Sequence, residues 1–218
     1  MKVKDIYIYR LMHVNNIPHI IDYGITHKNS TSSNPNFVPI GDKSLIDNRS
    51  DKIVRINNGE PFSFSAKTIT LGDYIPFYFG VRMPMLYVIQ NGGNFVEKSC
   101  PPEDIIYLAC PIKKVVKLSN DFFFSDGHAT DNFTTFYNHS KLKELPEIIN
   151  WDAVKAKYWS GHKNLDLKRQ KQAEMLVAQD IPFNCIKGFV CYNKNAKNKL
   201  VEFGIKKKQI KVIPKAYY

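Results

Sequence analysis

The sequence predicts a single α+β domain of strands and short helices. With 218 residues, of which 44% are hydrophobic and 13% aromatic, the chain has enough apolar material for one sizeable core. Segments rich in β-branched and aromatic residues are interspersed with helix-like segments. No internal repeat and no separate linker divides them. We therefore expect one domain over residues 1–218.

Charge and cysteine content narrow the class of protein. Lys and Arg outnumber Asp and Glu by 31 to 20, and the formal net charge of +11 points to a polyanionic partner without identifying it. No stretch resembles a signal peptide or approaches the roughly 20 apolar residues of a membrane span, so we expect a cytoplasmic protein without membrane contact. The cysteines lack C-x-x-C spacing, which favours reduced, buried thiols over a metal site: Cys100, Cys110, Cys185 and Cys191.

The first third of the chain begins with a strand and a helix. Residues 5–12, DIYIYRLM, have the composition of a strand. The helix that follows has Asn15 or Asn16 as a candidate cap, Pro18 in its first turn and Gly24 at its end. The segment that comes next, to about residue 72, is rich in Asn, Ser, Gly, Asp and Pro. Long loops of this kind are more often functional covers or binding loops than simple connections.

The middle of the chain is more apolar. Residues 74–89 predict a buried strand with a turn at its end, and two further strands are expected at 105–109 and 112–118. A turn is expected around residues 125–127. A short helix near 130–138 follows it.

The last third mixes polar and apolar segments. A helix is predicted at 151–158, and the almost wholly polar residues 161–172 should be exposed. Residues 173–177 then become apolar, and helix propensity alone favours continuing a helix through them. The final strands are predicted at 188–192 and 210–214, on either side of a basic, helix-like stretch.

Several polar residues stand where chemistry is possible. Arg82 lies between two apolar blocks, where an unpaired guanidinium is costly, so it should meet an anion, most commonly in a structural salt bridge. Arg10, His13 and Asn16 surround a strand-to-helix junction whose free N–H groups favour phosphate. His128 lies in a turn, SDGHA. On local sequence alone, ordinary structural roles for His13 and His128 remain open.

Glu174 is the most unusual carboxylate of the chain, because QAEMLV places it where a basic polar stretch meets an apolar element. It is either an exposed helical glutamate paired with nearby basic residues, or a carboxylate at the mouth of a cleft for a phosphorylated ligand. The sequence lacks the P-loop, G-x-G-x-x-G, H-E-x-x-H and G-x-S-x-G motifs. That absence disfavours P-loop enzymes, Rossmann dehydrogenases and zinc proteases.

Several blocks resemble the DarT family of DNA ADP-ribosyltransferase toxins when taken together. They are RLMHVNNIPHIIDYG, NPNFVPIGDKSLIDNR, YIPFYFGVRMPMLY, FFFSDGHA, the region of Trp151 and KRQKQAEMLV. Their order and spacing from about residue 6 to the end make the combination specific. Residues 57–71 look like an enlarged insertion, so no role is carried over to them.

This resemblance implies the ADP-ribosyltransferase fold, with two packed, mainly antiparallel sheets around a central NAD cleft and flanking helices. It implies NAD as co-substrate without a metal, single-stranded DNA as acceptor, and a macrodomain antitoxin as partner of a monomeric toxin. The family's catalytic glutamate falls on Glu174. In that fold this glutamate begins a strand, so residues 173–177 are predicted to be extended, after a substrate-recognition segment at about 152–172.

The resemblance also assigns residues to the two substrates. His13 contacts the NAD ribose, Asn15 or Asn16 completes the nicotinamide pocket, and Tyr74 packs the cleft. Arg49 acts beside Glu174, where it binds the pyrophosphate or assists the acceptor base. Five residues are assigned to the DNA side, with a contribution to cleft structure as the alternative for the first two: Arg82, His128, Lys168, Arg169 and Lys171.

The predicted reaction is transfer of ADP-ribose from NAD to a base, with thymine preferred and guanine as the alternative. A carboxylate suits this chemistry because it stabilises positive charge on the ribose and accepts the proton that the base loses. A base nitrogen inside a duplex is unreachable, which favours single-stranded DNA. Two other hypotheses about the function remain: transfer of ADP-ribose to RNA or protein, and a non-catalytic nucleic-acid-binding module.

Overall fold

The structure is a computed structural model that describes residues 1–41, 43–60, 62, 66–92, 96, 98–161 and 165–218. The strands are β1 Tyr7–His13, β2 Ile53–Ile56, β3 Lys67–Thr70, β4 Ile75–Tyr78, β5 Ile105–Pro111, β6 Phe122–Ser125, β7 Phe136–Asn138, β8 Glu174–Val177, β9 Gly188–Cys191 and β10 Ile210–Val212. The α-helices are α1 Ile17–Tyr23, α2 Lys43–Asp51, α3 Pro84–Asn91, α4 Ile112–Val115, α5 Leu145–Ile148, α6 Trp151–Lys155, α7 Leu165–Gln170 and α8 Lys194–Glu202. Short 3-10 helices lie at Val3–Asp5, Val14–Asn16, Leu71–Asp73, Pro102–Asp104, His139–Glu144, Phe183–Cys185, Lys207–Gln209 and Pro214–Ala216.

The strands form one sheet in the order β10-β9-β5-β1-β4-β8-β6-β7-β2-β3. Two neighbouring pairs, β9 with β10 and β2 with β7, are parallel, and the other pairs are antiparallel. A single residue pair, Tyr9 with Tyr78, joins β1 to β4. This junction divides the sheet into a four-stranded portion, β10-β9-β5-β1, and a six-stranded portion, β4-β8-β6-β7-β2-β3.

Both portions contribute to one main core. Ile8 of β1 and Leu108 of β5 lie in the same buried cluster as Phe77 of β4 and Met175 of β8. Two sheet portions that bury their apolar faces against each other reproduce the predicted arrangement of two packed, mainly antiparallel sheets. The structure adds that the portions are continuous through one residue pair.

Strand β8 is buried on both faces, which explains why it is extended despite its helix-forming residues. Met175 and Val177 point into the main core, whereas Leu176 points into a second cluster between β6, β7, β2 and β3. Side chains alternate along a strand, so Glu174 shares the face of Leu176. The strand predicted at 173–177 is confirmed.

The strand predicted at 112–118 is wrong, because β5 ends at Pro111 and a helical turn follows. Ile112 and Val115 are three residues apart, and both are buried. Lys113 and Lys114 lie between them. Only a helical turn places the two apolar side chains on one face and turns the lysines away.

Three further segments differ from expectation. The helix predicted near 130–138 is wrong, because these residues form turns that lead into β7, paired with β6. Strand β4 is shorter than expected, since Pro84 begins helix α3 at a position where the missing N–H of proline is harmless. The long loop to residue 72 also contains α2 and the hairpin of β2 and β3.

The remaining elements are confirmed with small shifts at their ends: the strands at 5–12, 105–109, 188–192 and 210–214, the helix before Gly24, the helix that begins at Trp151 and the basic helix α8. Neither Asn15 nor Asn16 caps α1 through its side chain. The four cysteines are free and buried. Among the described residues, no helix combines the length and the apolar character that crossing a bilayer requires.

Candidate active site

Glu174 lies at the start of β8 with its side chain completely buried, at 0% exposure. Its Oε1 accepts a hydrogen bond from the backbone N–H of Ala129 at 3.0 Å. Its own backbone N–H donates to Oγ of Ser125 at 3.2 Å. The Nη2 atom of Arg49 is 2.9 Å from Oε2. Burial of a carboxylate is costly unless it is paired and hydrogen-bonded, and these contacts provide such partners.

Arg49 reaches this carboxylate from helix α2. The side chain is 17% exposed. The end of α2 is fixed by a hydrogen bond from the backbone N–H of Leu71 to the carbonyl of Lys52 at 2.9 Å. Beside it, Gly72 lies so close to the carbonyl of Ser50 that no Cβ fits between them. The close backbone approach that glycine permits therefore places Arg49.

Arg10 is a second arginine at this site. The sequence grouped it with His13 and Asn16 at a strand-to-helix junction that favours phosphate, but gave it no role beside Glu174. Its Nη1 donates to the carbonyl of Pro76 at 2.8 Å. Burial, followed by the positive charge of Arg49, lowers the pKa of Arg10 to about 10, so it stays protonated at neutral pH. The sequence carried a signal for it: Arg10 shares a strand face with Ile8 and Met12, both buried.

A cavity of about 430 Å³ opens beside these residues, within the range of small-molecule sites. Arg10, Arg49, Tyr78 and His128 line it, together with Tyr74. Apolar side chains complete the wall: Phe37, Ile40, Ile46, Met85 and Ile89. Glu174 is absent from this lining because it lies behind the residues that surround it.

Tyr78 and His128 flank Glu174 and are held in their neutral forms. Tyr78 is directly opposite Glu174 in the pairing of β4 with β8. Burial, followed by the charge of Glu174, raises the pKa of Tyr78. Burial lowers the pKa of His128, although Glu174 opposes this shift, and Nδ1 of His128 is 2.9 Å from Oγ1 of Thr130. Burial likewise raises the pKa of Tyr74, to about 12.

The loop at 26–41 forms one wall of the cavity, and the buried side chain of Asn16 anchors it. Nδ2 of Asn16 donates to the carbonyl of Val38 at 2.8 Å, and Oδ1 accepts from the N–H of the same residue at 2.9 Å. Nδ2 of Asn34 lies 3.3 Å from this Oδ1. The expectation that the loop-rich segment covers a site is therefore supported by its position.

His13 and Asn15 are not brought to Glu174. Nδ1 of His13 accepts a hydrogen bond from the backbone N–H of Asn15 at 3.1 Å, and neither residue lines the cavity. Burial lowers the pKa of His13, and the charges that modulate this shift are those of Asp104 and Lys199. Their expected NAD contacts stay untested, and this geometry lends them no support.

The residues expected on the DNA side are placed in different surroundings. Arg82 has a positive φ of 54°, and its guanidinium carbon lies 4.5 Å from the ring centre of Tyr218. Within the described part of the chain it forms no ion pair with a carboxylate. Lys168 is exposed on α7, with Nζ 5.8 Å from the ring centre of Trp159. Arg169 is engaged by Asp126 and Asp166. Only His128 of the five lines the cavity.

Lys171 is buried, at 2% exposure, and its Nζ donates to the carbonyl of Val154 at 3.0 Å. Burial, followed by the charge of Arg82, lowers its pKa to about 8. Gln172 is buried as well. The expectation that all of residues 161–172 are exposed is therefore wrong at its end, where the aliphatic part of a lysine side chain packs inside.

Unpaired donors mark the cavity as a site for an anion. Within the described part of the chain, Nε of Arg10 and both Nε and Nη2 of Arg49 are buried without a hydrogen-bond partner, as is Oε2 of Glu174. The contact between Arg49 and Glu174 is thus an ion pair without hydrogen-bond alignment. Leaving charged groups unpaired is costly, which favours a ligand that supplies acceptors. The described residues contain no cluster of His, Cys, Asp or Glu that could hold a metal ion.

Comparison with proteins of similar sequence or fold identifies the family of the chain. The family model described as "DarT: ssDNA thymidine ADP-ribosyltransferase, DarT" matches residues 9–218. A DNA ADP-ribosyl transferase of Escherichia coli O127:H6 (strain E2348/69 / EPEC) is 31% identical over 197 residues, which cover 90% of this chain and 84% of that protein. The structure of Thermus sp. 2.9 DarT in complex with ADP-ribosylated ssDNA has a TM-score of 0.78 at 25% identity, covering 97% of this chain and 96% of that one.

One further relative is a fusion protein. The DNA ADP-ribosyl transferase-DNA ADP-ribosyl glycohydrolase fusion protein of Thermosipho africanus (strain H17ap60334) is 25% identical over 208 residues, covering 95% of this chain and 47% of the fusion. These matches extend over nearly the whole of the present chain. Because the family model covers residues 9–218, the chain belongs to the DarT family.

Proposed function

We propose that this chain transfers ADP-ribose from NAD onto thymine in single-stranded DNA. The observation that carries the proposal is the carboxylate of Glu174, buried beside Arg49 behind the wall of a 430 Å³ cavity. Membership of the DarT family supports it, since the family model describes a thymidine ADP-ribosyltransferase of single-stranded DNA. The Thermus neighbour, solved with ADP-ribosylated ssDNA, supports the same acceptor.

The cavity fits NAD on grounds of charge and shape. The unpaired N–H groups of Arg10 and Arg49 would hold the diphosphate, because guanidinium groups donate in a planar fork that matches phosphate oxygens. Apolar walls from Phe37 and Ile46 suit the faces of the rings. Asn16 contributes indirectly by fixing the loop that forms one wall.

Glu174 would act through its Oε2. Breaking the N-glycosidic bond to nicotinamide develops positive charge on the ribose, and a nearby carboxylate stabilises that charge. Because Oε2 is buried at 2.9 Å from Arg49, the Arg49 side chain has to shift before a ribose hydroxyl can reach it. The hydrogen bond from Ala129 to Oε1 keeps the carboxylate in place during this shift. The same carboxylate then accepts the proton that the acceptor base loses.

The acceptor would approach from the side of His128 and Lys168. His128 lines the cavity next to Glu174, and its neutral ring can hydrogen-bond to a base edge. Lys168 is exposed and can neutralise a backbone phosphate. A base has to leave the stack of a duplex to reach a cavity of this kind, which favours single-stranded DNA.

We further propose that the chain acts as a toxin opposed by a macrodomain glycohydrolase that removes the modification. The Thermosipho relative, in which a transferase and a glycohydrolase share one chain, supports such a pairing. Co-expression with a DNA ADP-ribosyl glycohydrolase should restore growth that the wild-type chain arrests. Growth arrest that a catalytically inactive glycohydrolase also relieves would contradict removal of the modification as the mechanism.

The expected oligomeric state and location are also proposals. We propose that the chain acts as a monomer. We propose that it acts in the cytoplasm, where both NAD and DNA are accessible. Light scattering after size-exclusion chromatography should give the mass of one chain, and a dimer mass would contradict the first proposal.

A competition assay tests the acceptor class. Labelled NAD is incubated with the protein and equal amounts of a single-stranded DNA oligonucleotide, its duplex, an RNA of the same sequence and an unrelated protein. We expect label on the single-stranded DNA, and at least tenfold less on every other acceptor. Preferential labelling of RNA or protein would contradict the proposal, as would DNA binding without any release of nicotinamide.

A further inference from the structure

We propose that Arg169 is a positioning residue that fixes Glu174 through residues 125–135, which we call the strap, and that it does not contact DNA. The inference rests on the proposed function, because it assigns how the catalytic carboxylate of that reaction is held. It departs from the expectation that Arg169 belongs to the DNA-binding residues. Three sets of contacts carry it.

Two carboxylates already bind the guanidinium of Arg169. Nη1 donates to Oδ1 of Asp126 at 2.7 Å, and Nε donates to Oδ1 of Asp166 at 2.7 Å. Nη1 also lies 3.4 Å from Oγ1 of Thr134. The side chain is only 9% exposed. One positive charge between two negative ones leaves a local excess of negative charge, which repels a phosphate.

Residues of the strap pack closely against this arginine. Gly127 has no room for a side chain, because a Cβ would lie 2.5 Å from Nη1 of Arg169. The backbone N–H of His128 donates to the carbonyl of Arg169 at 2.9 Å. Asp126 in turn accepts from the N–H of Thr135 at 2.9 Å, which closes the strap upon itself. Arg169 therefore holds the strap through both its side chain and its backbone.

The other side of the strap holds Glu174. The hydroxyl of Ser125 donates to the carbonyl of Gly127 at 2.7 Å and accepts the backbone N–H of Glu174. The N–H of Ala129 donates to Oε1 of Glu174. Hydrogen bonds thus connect α7 to the strap and the strap to the catalytic carboxylate. Displacement of a reacting group by about 1 Å costs on the order of 100-fold in rate.

The experiment compares the variants Arg169→Ala, Asp126→Ala and Lys168→Ala by steady-state transfer to a single-stranded oligonucleotide. If Arg169 positions the strap, Arg169→Ala and Asp126→Ala both lower kcat by roughly 10- to 100-fold, and the KM for DNA stays within about twofold. Lys168→Ala is the matched loss of one positive charge on the same helix. It should raise the KM for DNA and weaken its salt dependence, with kcat unchanged.

The two roles predict opposite results for Asp126→Ala, which makes the comparison decisive. If Arg169 contacts DNA, removing a neighbouring negative charge lowers the KM for DNA, whereas Arg169→Ala raises it with kcat unchanged. That pair of results would overturn the proposal. Circular dichroism and thermal midpoints establish whether each variant is folded. If an alanine variant is too unstable, Arg169→Lys replaces it. Because a lysine can bind one of the two carboxylates but not both, this variant should give an intermediate kcat. Wild-type transfer to DNA tests the proposed function independently of these ratios.

Discussion

Glu174 and Arg49 approach within 2.9 Å of each other, yet the chain holds them in different ways. Glu174 begins a strand whose residues are all buried, between β4 and β6, and the strap covers its other side. Arg49 lies in the last turn of α2, a helix with exposed positions such as Ile46, which is 46% exposed. One side of the cavity is part of the core, and the other is a surface segment anchored at a few points.

This difference indicates that the two residues have different roles in the reaction. The carboxylate must keep its position relative to the reacting bond, and burial on both faces of β8 provides that. The arginine must leave the carboxylate to admit a ligand, and a segment with few core contacts permits the movement. Substitutions on the Glu174 side should therefore affect kcat, and those on the Arg49 side should also affect the binding of NAD.

The largest effect is expected for Glu174→Gln. The amide keeps the shape and can still accept the N–H of Ala129, but it neither stabilises a cation nor takes up a proton. We expect kcat for transfer to DNA to fall by about 1000-fold or more, with the fold retained. Quantified nicotinamide release and modified oligonucleotide provide the measurement. Turnover within tenfold of the wild type would show that this side is not where the chemistry occurs.

Arg49→Ala should have the next largest effect, roughly 100-fold in kcat/KM, part of it as a raised KM for NAD. Arg49→Lys keeps the charge but loses the planar fork, so it should recover only part of the activity. The thermal midpoint should also fall, because the buried carboxylate of Glu174 loses its ion-pair partner. A change confined to kcat, with the KM for NAD unaltered, would contradict the assignment of binding to this side.

Asn16→Ala tests the anchor of the loop wall. The substitution removes the hydrogen bonds to Val38 from a buried side chain, at a cost of about 1–3 kcal/mol. We expect the KM for NAD to rise by roughly tenfold, because the wall it fixes is no longer held, while the KM for DNA is unaffected. Asn36→Ala, at an exposed position of the same loop, is the matched control. Equal effects of the two variants would refute the role of the anchor.

The smallest effect concerns Lys171. Its pKa in the folded protein, about 8, is below the ordinary value of 10.5, so between these values the unfolded chain binds more protons. Stability should therefore rise with pH between about 8 and 10.5, by less than about 1.4 kcal/mol per pH unit. Lys171→Met should lose this rise. Denaturant unfolding at several pH values measures it, and a parallel pH dependence in the two proteins would show that the Lys171 ammonium is not its source.

The fold could be predicted in part from local patterns. The alternation around Ile8 and the apolar stretches of β5 and β9 were sufficient to predict strands. Helix-forming residues made β8 look helical, and only the family resemblance predicted the strand, because its burial on two faces is set by distant strands. At 130–138, pairing of β7 with β6 overrode the local preference for the same reason.

The site was predictable to a similar degree. Glu174 and Arg49 were identified by resemblance, and the structure brings them together. Arg10 was grouped with His13 at a junction that favours phosphate, but only Arg10 lines the cavity. An arginine three residues before His13 points to the opposite face of the strand. That alternation also explains why His13 is not beside Arg10. The pairing of Arg169 with Asp126 joins residues 43 positions apart, which no local pattern reveals.

The central claim is tested most directly by mass spectrometry of a single-stranded oligonucleotide that contains one thymine. The wild-type chain and Glu174→Gln are incubated with it and with NAD, beside the same oligonucleotide carrying cytosine in place of the thymine. We predict the addition of one ADP-ribosyl group to the thymine oligonucleotide by the wild-type chain alone, and none to the cytosine control. Equal modification of both oligonucleotides, or modification by Glu174→Gln at the wild-type rate, would contradict the proposed reaction.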